Sequence, residues 1–111
     1  MNTLTTATLT SLKFIYPNSY IVLFTIRHNG NSIEDVLDLI QSQATGYIEF
    51  NYSENVTYFL VITYNKDLLN SLSVLLENIP DISFSSKRVS QRDFQYLNHI
   101  SEQCETYINI E

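Results

Sequence analysis

Four scarcities bound this sequence before any pattern in it is read. Cys104 is the only cysteine in 111 residues, so there is no internal disulfide framework, and a reducing compartment is the simpler setting. Only two glycines occur, Gly30 and Gly46, and neither belongs to a glycine-rich loop. Phosphate cradles need glycine where backbone and ligand approach closely, so nucleotide-dependent chemistry is disfavoured. No apolar run comes near the roughly 20 residues of a membrane helix. The opening Met-Asn-Thr-Leu-Thr-Thr lacks the basic start and apolar stretch of a signal peptide, so the expectation is a cytoplasmic protein with no membrane partner. Basic residues are scarce as well: six stand against twelve acids, for a formal charge of −6. That balance discourages contact with phosphate backbones and favours basic partners.

Catalytic and metal-binding constellations are also missing. His28 and His99 have no histidine or cysteine at ligand spacing, and His99 and Cys104 would lie roughly 140° apart around a helix. Cys104 falls on an apolar stripe and reads as a buried thiol. Two sequons, Asn51-Tyr52-Ser53 and Asn55-Val56-Thr57, carry no weight in a chain this rich in Asn, Ser and Thr. The expectation is a protein without catalytic residues, cofactor or metal.

What the sequence does contain is an order of apolar periods. Two-residue alternation gives way to helical spacing and back, as strand, helix, strand, strand, helix, strand. This predicts an α+β fold, a ferredoxin-like split βαβ sandwich (βαββαβ) with a strand-like N-terminal extension and a C-terminal helix. Residues 1–111 read as a single domain: extension 1–18, core 19–89 and C-terminal helix 90–111.

Along the chain, a strand is expected from about Thr8 to Tyr16, turned at Pro17-Asn18. The next strand, Tyr20 to His28, is apolar on both faces and therefore central. Ser32 with Asp35 resembles a capping box that opens a helix burying Ile33, Val36, Leu37 and Ile40 and ending near Gln43. Tyr47–Tyr52 and Val56–Tyr64 form a hairpin around Ser53-Glu54-Asn55, with Tyr52 opposite Val56, Phe50 opposite Tyr58 and Ile48 opposite Leu60. A second helix, about Asp67 to Asn78, buries Leu68, Leu72, Leu75 and Ile79 and stops before Pro80. A strand from Ile82 to Arg88 follows. Ser90 with Asp93 then opens the third helix, carrying Phe94, Leu97, Ile100, Cys104 and Tyr107.

The expected sheet order is strand 4, 1, 3, 2, with both core helices on one face. Placing Val22, Phe24, Ile26, Ile48, Phe50, Leu60 and Ile62 under the helices leaves Ile21, Leu23, Phe59 and Val61 at the centre of the other face. Four such side chains in water would each forfeit about 1.5–3 kcal/mol of burial, so a lid is required. The third helix, the N-terminal segment, or a second copy or partner could supply it, and these four residues are the candidate sheet-face interface. RNA-recognition domains share this strand order and stack bases on central-strand aromatics. Here those positions offer mainly Phe59, and no basic aromatic segment accompanies it, so direct nucleic-acid binding is disfavoured.

The acids are one-sided. Glu34, Asp35 and Asp38 lie on a helix that contains no lysine or arginine, and Glu102 and Glu105 give the third helix the same character. These five are the candidate partner-binding residues, an acidic docking surface for a basic or nucleic-acid-binding protein. The functional expectation is a small inhibitor that neutralises its partner stoichiometrically, of toxin-immunity or phage anti-defence type, in a bacterial cell or a phage-infected host cell. The alternatives are a homo-oligomeric regulatory module with paired sheet faces, as a homodimer, and after that an RNA-binding domain.

Overall fold

Tyr20–Arg27 (β1) is buried on both sides along most of its length, and the architecture follows from how its two apolar sets are covered. The computed structural model describes residues 12, 15–89, 93, 96–97, 99 and 102–109. After β1 come α1 (Ile33–Gln43), β2 (Gly46–Ser53), β3 (Val56–Thr63), α2 (Lys66–Glu77), β4 (Ser83–Arg88) and β5 (Glu105–Asn109). The five strands form one antiparallel sheet in the order β4-β1-β3-β2-β5. The expected order 4, 1, 3, 2 is therefore present, extended at the β2 edge by a strand the sequence reading did not anticipate.

Each face of this sheet carries a core. Val22, Phe24, Ile26, Tyr47, Phe59 and Val61 pack against Val36 and Ile40 of α1 and Leu68, Leu72 and Leu76 of α2. On the other face Ile21, Leu23, Ile48, Phe50, Leu60 and Ile62 pack with Leu12, Tyr16, Val89, Leu97 and Cys104. The expected assignment was right for β1 and inverted for β2 and β3. Val22 pairs with Val61 and Phe24 with Phe59, and directly paired residues share a face. Ile21, Leu23, Phe59 and Val61 therefore do not form one surface: the first two lie on the second face, the last two under the helices. All four are buried within this chain, so they offer no exposed interface, and Phe59 cannot stack a base. A one-residue change of register flips every side chain, and β1 and β3 are joined by no tight turn that would set it from sequence.

The hairpin agrees with its pattern at Ile48–Leu60 and Phe50–Tyr58, while an irregularity between Asn51 and Ser53 brings Ser53, not Tyr52, opposite Val56. On α2 the buried positions are Leu68, Leu72 and Leu76; Leu75, expected inside, is 40% exposed. Spacing of four throughout places all three on one stripe. Asn65 caps α2, its side chain accepting from the Asp67 N–H. Ser32 makes no such bond at α1. Its hydroxyl instead donates to the Pro80 carbonyl at 2.9 Å, tying the start of α1 to the segment that leaves α2, so the expected capping box is not formed.

At the ends of the chain two expectations change. Leu12 and Ile15 have helical backbone, and the Tyr16 N–H donates to the Leu12 carbonyl at 2.9 Å, which excludes a strand there. The rest of the predicted strand lies outside the described residues. The Pro17-Asn18 turn is present, with Asn18 left-handed at φ 65°, a conformation asparagine tolerates. The C-terminal helix expected over 90–111 is not among the structure's elements: Glu105–Asn109 is strand, paired with β2. Thr106 and Ile108 alternate with Glu105 and Tyr107, a two-residue period with two β-branched members, which suits an edge strand better than the coincidental helical spacing of Cys104 and Tyr107. Asp93, Tyr96, Leu97, His99 and Glu102 have helical backbone; Ser90, Phe94 and Ile100 lie outside the described residues.

Leu97, with 0% exposure against the second face, tests whether that lid belongs to the fold. Leu97→Ala is expected to cost about 2–5 kcal/mol in urea unfolding, and the exposed Leu75→Ala under about 1 kcal/mol.

Candidate functional site

From His28 to Asn65 the chain contains no lysine or arginine, while Glu34, Asp35, Asp38, Glu49 and Glu54 all fall within it. That stretch builds α1, β2 and β3, and β5 adds Glu105 beside β2. The described bases sit elsewhere: Arg27 at the end of β1, Lys66 on α2, and Lys87 and Arg88 on β4. Two of these are engaged, Lys87 with Asp93 at 2.7 Å and Arg88 over the Tyr20 ring at 5.0 Å. The fold thus converts a sequence bias into a spatial one, with an acidic side around α1, β2 and β5.

Glu34, Asp35 and Asp38 are exposed on α1, as are Glu102 and Glu105. Glu105 opens β5 opposite Asn51, so it does not share a helix face with Glu102. The structure instead brings Glu105 together with a polar cluster at one end of the sheet. Here a cleft of about 510 Å3 is lined by His28, Asn31, Glu49, Asn51, Glu54 and Thr57 among others.

Local chemistry builds this cleft. Gly30 turns the chain after β1 at φ 92°, where a Cβ would be strained. Its N–H donates to His28 Nδ1 at 3.0 Å, while the Asn31 N–H donates to Asn29 Oδ1. The His28 N–H donates to the Asn55 carbonyl at 2.9 Å, fastening this loop to the β2–β3 turn. Because Nδ1 accepts, the neutral ring carries its proton on Nε2 and donates it to Thr57 Oγ1 at 2.9 Å. The Thr57 hydroxyl faces Asn51 Oδ1 at 3.5 Å, a long contact, and the Asn51 side chain favours the charged form of Glu49. In this tautomer His28 is a donor toward Thr57 and cannot act as its base.

Burial pushes the Glu49 carboxyl above its ordinary range, and the Asn51 hydrogen bond only partly offsets it. Burial also holds His28 below its ordinary value. Tyr107, paired with Glu49 across β2 and β5, is raised chiefly by the Glu105 charge, with Glu49 adding to it. Among the described residues no group of three or more His, Cys, Asp or Glu could hold a metal, and no helix is long and apolar enough to cross a membrane.

Sequence reasoning missed Glu49 and the His28–Thr57–Asn51 chain. The available signal was a charge in the phase opposite to Ile48 and Phe50, on the face that Tyr47 and Phe59 share; the rest depends on which strands and loops meet at one end of the sheet.

Two outcomes follow. In the folded state Glu49 favours its protonated form, so its contribution to stability is present at low pH and lost as pH rises through the folded-state value. Glu49→Gln should therefore raise the melting temperature at pH 7, and the gain should vanish as pH falls below the usual glutamate range. His28 favours its neutral form, a contribution present above the usual histidine value and lost as pH falls through the lowered one. NMR titration should show an Nε2–H tautomer and a midpoint below that of a free histidine.

No protein-family model matches the chain, and no curated protein matches it. Among solved structures, the uncharacterized protein TM1266 from Thermotoga maritima is similar with a TM-score of 0.50, covering 64% of this chain and 96% of that one at 14% identity. At that identity the likeness concerns the fold.

Proposed function

We propose that this chain is a small acidic binding protein that neutralises a basic partner protein by stoichiometric binding, as toxin-immunity and phage anti-defence inhibitors do. In fold terms the reading is a ferredoxin-like βαββαβ sandwich whose sheet is prolonged by β5, acting in the cytoplasm of a bacterial cell or a phage-infected host. The observation that supports it is the segregation of charge: acids without any lysine or arginine from His28 to Asn65, gathered with Glu105 on one side of the sheet.

A surface of one sign attracts a basic partner before contact, raising the encounter rate and rejecting other acidic surfaces. Glu34, Asp35 and Asp38, exposed on α1, supply the outermost charge. Bound against a cleft that otherwise receives phosphate, they occlude it by standing where the phosphate would. Among the described residues no lysine or arginine pairs with these carboxylates, so none competes with an incoming cation. The partner is thus a basic protein, including one that binds nucleic acid, while nucleic acid itself would be repelled.

The experiment is a charge reversal. A basic protein retained by the immobilised chain and eluted by salt is purified, and its association is followed by stopped flow. Replacing Glu34, Asp35 and Asp38 together by Lys is expected to lower the association rate about tenfold or more at low ionic strength and to flatten its salt dependence. Unchanged rates and an unchanged salt slope would remove this surface from the reading.

A further inference from the structure

We propose that the cleft at the end of the sheet receives an arginine side chain, with Glu49 as the carboxylate that meets the guanidinium. The inference rests on the acidic-binder reading and names the chemistry of one anchoring contact within it.

Three features of the cleft select a cation. Among the described residues it is lined by two carboxylates, Glu49 and Glu54, and by no lysine or arginine. Glu49 is half-buried in the wall of the sheet beside Asn51, and no described lining residue supplies a countercharge. The neighbouring polar groups are already committed to one another: His28 to Gly30 and Thr57, Thr57 to Asn51, and Ser53 to the Asn55 N–H. These contacts leave the carboxylates of Glu49 and Glu54 as the acceptors with spare capacity, and of the two it is Glu49 that is half-buried.

The same features select guanidinium over other cations. A metal would need a third strong ligand, and no such group exists among the described residues. An ammonium is compact and strongly hydrated, whereas guanidinium is planar, weakly hydrated and able to meet a carboxylate through two parallel N–H bonds. The cleft, at about 510 Å3, admits that plane. Tyr107, paired with Glu49 on β5 and half exposed, offers an aromatic ring beside it. A side chain presented by a protein, entering between the 29–31 loop and the 54–55 turn, would place its parent surface against the acids of α1. A pocket that seats one anchoring side chain is where interface energy concentrates.

The test needs no partner protein. The 15N-labelled chain is titrated with N-acetyl-arginine methylamide, and with the citrulline and lysine analogues as separate arms, at low ionic strength. Saturable shifts of the amides of residues 28–31 and 49–57 with the arginine probe are expected, about tenfold weaker with lysine and absent with citrulline. Glu49→Gln should abolish them, while Glu77→Gln on α2 should leave them unchanged; the spectrum of each variant shows whether it is folded. No saturable shift at the cleft, equal shifts with citrulline or lysine, or a response that survives Glu49→Gln would overturn the assignment. A missing probe site alongside salt-dependent partner binding lost on reversing α1 removes the arginine pocket alone. A probe site in a chain insensitive to that reversal removes the parent reading instead.

Discussion

The pairing of β1 with β3 is the constraint on which the rest of the structure depends. Both strands are apolar on both sides, so each could have been laid down in either of two phases and still buried something. With Val22 opposite Val61 and Leu23 opposite Leu60, the sheet divides its side chains between two complete cores. A domain of 111 residues has a sheet wide enough to need both covered, and α1 and α2 can cover only one face. The residues beyond the split βαβ unit are consequently part of the fold: Leu12, Tyr16, Leu97 and Cys104 close the second face, and β5 continues the sheet at the β2 edge.

That same register grades the helix-side face from apolar to polar. Read across the sheet, one row runs Phe84, Ile26, Thr57, Asn51, Glu105, and the next Ser86, Phe24, Phe59, Glu49, Tyr107. Under the helices the rows are hydrophobic; toward β2 and β5 they become hydroxyl, amide and carboxylate. The cleft lies on this gradient, at the end where the loop from β1 crosses to α1. Glu49, Asn51 and Thr57 rest on inner strands, which position side chains more firmly than loops do, while the 28–31 loop and the 54–55 turn complete the lining of the cleft. Binding through it would require little ordering of backbone, which is where much of the cost of association arises.

How much of this was legible in the sequence depended on the range of the interaction involved. Both helices, the β2–β3 hairpin and the Pro17-Asn18 turn are set by contacts a few residues apart, and their patterns located them. The pairing of Phe50 with Tyr58 and of Ile48 with Leu60 followed from the short turn between them. The relative phase of β1 and β3 was not legible, because thirty residues separate the strands roughly, and two apolar faces give no preference for one phase. Ser32 looked like a cap by composition, yet its hydroxyl found Pro80 at a sequence separation of 48, a partner no local rule supplies. The last strand was misread for a related reason: Cys104 and Tyr107 happen to fall at helical spacing, and only the free edge of β2 makes the extended form of Glu105–Asn109 the better one. The exposed acids of α1 were visible from the sequence, whereas Glu49 stood out only once Tyr107, Asn51 and the His28 loop surrounded it.

Glu49 also bears on why the acidic side is organised as it is. A carboxylate half withdrawn from water, with an amide for company and no cation among the described residues of its cleft, costs stability at neutral pH that a neutral side chain of the same shape would not. Exposed acids such as Asp35 carry almost no such penalty, so they are compatible with solubility alone. The two kinds therefore play different physical parts in the proposed binding. The exposed charges act at a distance and weaken with salt; the withdrawn one acts on contact, in a setting where screening is poor and its missing counter-ion is worth most. In the proposed binding, such a surface would attract cations broadly and hold selectively the cation that can reach Glu49.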